Sequence, residues 1–212
     1  MGIAVMIRHG RSTANISDTL AGRMPGVALA DEGVTQASLL GEALREVAFT
    51  SLGASPLQRA QETATLAFAG RAFDTVDGII ENDYGTWTGR PLAELRVLPE
   101  WEPLHSNAAD FVFPQGEAIR EIAARAVAAV RERAQRSGLH AMVSHADIIA
   151  LIANHAAGAP INAYHQLAVA PASLTLVHVR EDGAMGLLAL NVPAAGAAEL
   201  LREGPARDHA TV

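Results

Sequence analysis

Three short segments carry the residue types that phosphoryl chemistry uses: Arg8-His9-Gly10, Ser55 followed within one helical turn by Arg59, and Ser144-His145-Ala146. A guanidinium is a planar fork that donates two parallel charge-assisted hydrogen bonds to phosphoryl oxygens and stays cationic at any working pH. A neutral imidazole is a nucleophile toward phosphorus, and neighbouring cations help to keep it unprotonated. A second imidazole, in its protonated form, would neutralise charge on the transferring group. Brought together, two arginines and two histidines describe a phosphate pocket. They lie far apart along the chain, so the fold has to assemble them.

Each segment follows an apolar run. GIAVMI (2–7) reads as a strand covered on both faces, with Gly10 allowing a sharp turn as the chain leaves the sheet. FTSLGAS (49–55) reads as a second strand, and the helix after it, over 55–70, takes Ser55 as N-cap and Pro56 in its first turn. FDTV (73–76) is a short third strand, and LHAMVSH (139–145) is a fourth, followed by a helix over 146–158. A helix over 31–47 would gather Val34, Ala37, Leu39, Leu40, Ala43, Leu44 and Val47 on one face, and a long helix over 116–138 would end at Gly138. LTLVHV (174–179) and GLLALNV (186–192) close the chain. This alternation predicts an α/β fold, a three-layer α/β/α sandwich with a largely parallel central sheet. Parallel strands end on one edge, which is where open α/β sheets bind ligands. One domain over 1–195 is expected, with 196–212 a flexible, frayed tail.

Composition narrows the partners. The formal charge of −7, with all 16 basic residues arginine and none lysine, argues against a general nucleic-acid or anionic-membrane surface. An anionic ligand must therefore be met by local arginines. The absence of cysteine removes disulfides and thiolate chemistry, and fits a reducing compartment. No apolar run approaches bilayer length and no signal-like start is seen, so a cytoplasmic protein is expected. GxxxxGK[ST], GxGxxG and GxSxG are all missing, which removes the commonest nucleotide-binding and serine-hydrolase readings.

RHG followed by Asn15, then SPLQRAQETA, ENDYGTWTG, FPQGEA and VSHADII occur in that order between about residues 3 and 179. Together they resemble the histidine phosphatase superfamily, also called phosphoglycerate mutase-like, and are most similar to actinobacterial phosphoglycerate mutase-like acid phosphatases. The resemblance implies that His9 is the nucleophile, becoming a phosphohistidine. It implies that Arg8, Asn15, Arg59 and His145 bind the phosphoryl group, and that Glu81 donates a proton to the leaving alkoxide, with Asp83 the runner-up. It implies neither metal nor cofactor. The expected substrate is a small phosphomonoester, with a homodimer the one assembly left open.

The pattern departs from the family at several places. Arg11 stands where many members carry Glu or Gln, Ala21-Gly22-Arg23 stands where the mutases have Thr-Gly, and Ala146 replaces a glycine but keeps its N–H. Arg11, Gly22, Arg23 and Ala146 are the substrate-binding candidates. Only Arg90 and Arg96 lie between Gly89 and Pro114, where mutases carry a longer basic insertion. A hydrolase through phosphohistidine is therefore favoured, ahead of a cofactor-dependent phosphoglycerate mutase and a catalytically silent phospho-ligand module. Glu117 is explained by a helix N-terminus. His105, His140, His155, His165 and His178 lack metal-ligand spacing and read as surface or structural. The segment 86–113 should cap the pocket, with Trp87, Trp101, Phe111 and Phe113 as its packing.

Overall fold

In chain order the elements are β1 (Gly2–Arg8), α1 (Thr13–Ile16), α2 (Asp31–Leu44), β2 (Ser51–Ala54), α3 (Gln58–Ala67), β3 (Asp74–Thr75), α4 (Leu92–Leu95), α5 (Trp101–Ser106), α6 (Ile119–Ala134), β4 (Gly138–Ser144), α7 (Ala146–Ala156), β5 (Leu174–Val179), β6 (Met185–Val192) and α8 (Ala194–Glu203). They are seen in a computed structural model that describes residues 2–203. Short 3₁₀ turns at Asp77–Ile79, Gly85–Trp87, Ala108–Asp110 and Ile161–Gln166 fill the irregular stretches.

The sheet order is β3-β2-β4-β1-β5-β6. The first four strands run parallel, β5 is antiparallel to β1, and β6, antiparallel to β5, returns to the direction of the first four. Arg8 pairs with Ser144 and Ala54 with Val143, so β1, β4 and β2 end level on one edge. β1 sends Ala4 and Met6 into a core shared with α6 and α7, and Val5 and Ile7 into a second core shared with α2, α3 and α8. That alternation makes the expected three-layer sandwich, and each fully buried Leu, Ile or Phe stabilises it by roughly 1.5–3 kcal/mol. No described helix is long and apolar enough to cross a membrane.

Several local expectations are corrected. The inner face of α2 is Gly33, Ala37, Leu40, Gly41 and Leu44, whereas Val34 and Leu39 remain 44% and 51% exposed, because the glycines let neighbouring backbone come close on that side. α3 starts only at Gln58 after extended Leu57, so Ser55 is not its cap. α6 stops at Ala134, and Gly138, at φ +119°, opens β4 instead of ending the helix. Gly10 is needed for proximity and not for a left-handed turn. A Cβ there would lie 2.6 Å from the Gly33 oxygen, and one on Gly33 would lie 2.1 Å from the Arg11 oxygen. The loop after β1 thus rests backbone to backbone on the first turn of α2. The tail expected over 196–212 is revised over 196–203, where α8 (from Ala194) buries Ala197 and Leu201 in the α2/α3 core. The rest of the expected tail lies outside the described residues.

Candidate active site

Register brings the predicted residues together. Arg8 is the last residue of β1, His9 follows it, Arg59 sits in the first turn of α3, and His145 immediately precedes α7. The His9 and His145 rings meet edge to face at 5.2 Å between centroids. Arg8, His9, Asn15, Gly22, Arg59, Glu81 and Ala146 line a cavity of about 370 Å³, with fully buried His145 directly behind.

Hydrogen bonds fix the state of each ring. His9 Nδ1 lies 2.7 Å from its acceptor, the Gly10 carbonyl oxygen, which assigns the proton to Nδ1 and leaves the Nε2 lone pair facing Arg59 Nε at 3.2 Å. Burial, then the charges of Arg59 and Arg8, hold His9 well below the usual imidazole range, which favours the neutral ring. His145 Nε2 is 2.7 Å from Ser55 Oγ, which already accepts from Leu57 N–H and is therefore free to donate to the ring. The proton of His145 then sits on Nδ1. Against the cationic His145 expected from the sequence, burial first, then Arg59, His9 and Arg8, push it well below its ordinary value, which favours the neutral ring.

Within the protein, Arg8 Nε, Arg59 Nη1 and His145 Nδ1 are buried and have no hydrogen-bond partner. The other ends of both guanidiniums are tied, Arg8 to the Val169 oxygen at 2.5 Å and Arg59 to the Gly22 oxygen at 2.9 Å. Three buried donors held this way in one region suit an oxyanion. Asn15 closes a capping box with Ser12 on α1, its Oδ1 accepting from Ser12 N–H at 3.0 Å, which leaves the amide Nδ2 as a donor at the cavity. Ala146, the first residue of α7, brings a helix N-terminus to the same place.

Glu81 stands beside this floor, with Oε2 3.9 Å from His145 Nδ1 and Oε1 accepting from Asn82 N–H at 3.0 Å. Burial, then the charge of Asp147, raises its pKa to about 7 against the pull of Arg59. Asp147, in the first turn of α7, accepts from Tyr84 Oη at 2.8 Å and Asn82 Nδ2 at 3.1 Å. Burial raises this carboxyl too, while the Tyr84 hydrogen bond and Arg8 oppose it.

Asp83, the alternative acid, does not face the cavity; it is half exposed and accepts from Gly85 N–H at 2.9 Å. Arg11 is also outside the cavity lining, paired with exposed Glu32 at 2.9 Å. Arg23 turns away as well, donating to the Glu81 carbonyl and to Glu117 at 2.8 Å, so it braces the Glu81 backbone from behind. Glu117 precedes α6 and bridges Arg23 and Arg125, an ion-pair hub where the sequence suggested only a helix dipole.

Sequence reasoning missed Ser55 as the partner of His145, the Asn82–Tyr84–Asp147 set, and two histidines, His105 and His165, that line the cavity. Asp147, two residues past His145 at a helix start, carried a signal that was legible. The two histidines carried none.

The family model of the histidine phosphatase superfamily (branch 1) matches residues 4–192. Fructose-2,6-bisphosphatase TIGAR of Xenopus tropicalis is 31% identical over 127 residues, covering 57% of this chain and 46% of that protein. Fructose-2,6-bisphosphatase TIGAR B of Danio rerio is 27% identical over 189 residues, covering 82% and 72%. The chain spans about half the length of the first of these relatives. A solved mycobacterial glucosyl-3-phosphoglycerate phosphatase superposes with a TM-score of 0.80 at 23% identity, covering 91% of this chain and 100% of that one, a likeness of fold.

Proposed function

The chain belongs to the histidine phosphatase superfamily, and on that premise we propose that it hydrolyses a small phosphomonoester through a phosphohistidine on His9, without a metal ion. The observation that carries this reading is the neutral His9 Nε2 set among Arg59, Arg8 and His145, whose free donors await an oxyanion. His9 Nε2 attacks phosphorus, the P–O ester bond breaks, and the Glu81 carboxyl gives its proton to the departing alkoxide. Water then attacks phosphorus as Glu81 takes its proton, the P–Nε2 bond breaks to restore neutral His9, and inorganic phosphate leaves. A carboxyl near pKa 7 serves both halves, as acid when protonated and base when ionised. Arg8, Arg59, His145 and Asn15 hold the three phosphoryl oxygens as charge shifts between them.

Rapid mixing with ³²P-labelled phosphomonoester and an acid-free quench should trap an acid-labile, base-stable phosphoprotein, absent in His9→Ala. Turnover by His9→Ala should fall by roughly 10⁴-fold or more. Turnover within tenfold of native would overturn the mechanism. Phosphorus NMR of 3-phosphoglycerate should show free phosphate and little 2-phosphoglycerate; rapid isomerisation would favour the mutase, and tight phosphate binding without turnover of any ester would favour the silent module.

A further inference from the structure

Away from the phosphoryl floor, a chain of five rings runs round the cavity wall. Trp87 stacks on Trp101 with centroids 5.8 Å apart at 26°, Trp101 meets His105 at 5.4 Å, His105 meets His165 at 5.0 Å, and His165 meets Tyr164 at 5.9 Å. All five line the cavity, although they come from the turn at Gly85–Trp87, helix α5 and the turn at Ile161–Gln166.

This end offers a second anion no buried cation among the described residues. Beyond Arg8 and Arg59 the described lining holds one further arginine, Arg96, and that one is exposed to solvent, which screens its charge. Arg11 and Arg23, the arginines that would have served such a group, are committed to Glu32 and Glu117. His165 Nδ1 is buried without a protein partner, one hydrogen-bonding position in an otherwise aromatic wall.

We infer that the alcohol released from the substrate is uncharged and carries a flat aromatic or heteroaromatic body, seated on the Trp87–Trp101–His105–His165–Tyr164 arc, and that phosphoglycerates and sugar bisphosphates are poor substrates. This rests on the phosphatase reading of His9. Ring faces at these separations favour offset or edge-on stacking of a further ring. The cavity volume of about 370 Å³ is in the range of small-molecule sites and leaves space beyond the phosphoryl group.

The test compares phosphate release from 2-phenylethyl phosphate, glycerol 1-phosphate, 3-phosphoglycerate and fructose 1,6-bisphosphate, each with at least one alkyl ester that needs a proton on leaving. We expect kcat/KM for the phenylethyl ester to exceed the others by about 30-fold, chiefly through KM, since ~2 kcal/mol of ring contact is on offer. Trp101→Ala, and His105→Ala at an exposed residue whose loss spares the core, should each cut that advantage about tenfold. Equal or better hydrolysis of 3-phosphoglycerate or the bisphosphate, or an advantage untouched by both variants, overturns the inference. Titrating His9→Ala with the same esters, read by tryptophan fluorescence, separates the two readings. A retained binding preference with no phosphate release from native protein would sink the phosphatase reading alone, and equal binding of all four esters would sink the inference.

Discussion

The phosphoryl end of the cavity hangs from parallel strands locked in register, Arg8 opposite Ser144 and Ala54 opposite Val143, whereas the aromatic end is carried by short helices and 3₁₀ turns between residues 85 and 106 and by the turn at Ile161–Gln166. At the floor, side chains are held by hydrogen bonds to backbone and to each other, with Arg59, His9 and His145 all 4% exposed or less. At the wall, rings lean on rings and His105 is exposed. Preorganisation of this sort lets the floor stabilise developing charge without rearranging, while the wall can change composition without disturbing that geometry. On the proposed function chemistry belongs to the sheet edge, and on the further inference selectivity belongs to the cap.

The largest effect expected after loss of His9 lies at the floor. Arg59→Ala removes the donor to His9, the brace on the Gly22 carbonyl and one free phosphoryl contact together. Its kcat should drop by about 10²–10³-fold on every ester, aromatic or not. A loss confined to one ester would mean that Arg59 reads the leaving group, and the division between floor and wall would break.

Glu81 stands where the two regions join, and the choice of leaving group isolates it. Glu81→Gln should lower kcat on alkyl phosphates by about 10²-fold or more while sparing 4-nitrophenyl phosphate, whose leaving group departs without a proton. In native protein kcat/KM for alkyl esters should fall as pH rises through about 7, where Glu81 loses the proton it must give. The acid limb should lie well below pH 6.5, since His9 is held neutral by burial and by the two arginines. Stability follows the same group. A carboxyl whose folded pKa is raised stabilises the fold below the ordinary carboxylate range, and that contribution is lost as pH rises through about 7. Glu81→Gln should then melt roughly 3–6 °C above native protein at pH 8, with the difference gone by pH 4.

Legibility divides along the same line. Strand-ending Arg8-His9, the SP-x-x-R run and Ser144-His145 could be read because parallel strands have ends on one edge whatever their register. A hydroxyl before a proline usually caps a helix, but here the helix starts three residues after Ser55 and the hydroxyl turns to His145. Glu81 was readable inside ENDYG, but its tuning partner Asp147 arrives from α7, 65 positions from Asn82, through a contact that no local pattern encodes. The ring arc was the least legible. Tryptophan and histidine spacing in irregular chain has no period, so only the fold could bring His105 beside His165.

Asp147→Asn probes that long-range partner with a smaller change. It removes the second-largest cause of the raised Glu81 pKa and retains a side chain able to face Tyr84 and Asn82. The alkaline limb on alkyl esters should move to lower pH by up to about one unit, and rates at pH 6 should change less than rates at pH 8. An unmoved limb, with uniformly lower activity, would make Asp147 a packing residue only.

The smallest effect is expected at Arg11, and it tests whether charge near the motif in sequence counts as charge at the site. Arg11 follows His9 by two residues, yet its guanidinium points to Glu32 on the solvent side of α2, with side-chain exposures of 42% and 52%. Ion pairs so exposed contribute about 0–1 kcal/mol, and mobile salt ions screen their reach to the cavity. Arg11 matters to the site through its backbone, whose carbonyl accepts from Ala30 N–H at 2.9 Å and lies against Gly33. Arg11→Ala keeps that backbone and should alter KM for 3-phosphoglycerate by less than twofold at physiological salt, with no change in the ranking of esters. A tenfold rise in KM for the anionic ester alone would place Arg11 in substrate recognition and return selectivity for a second anion to the floor.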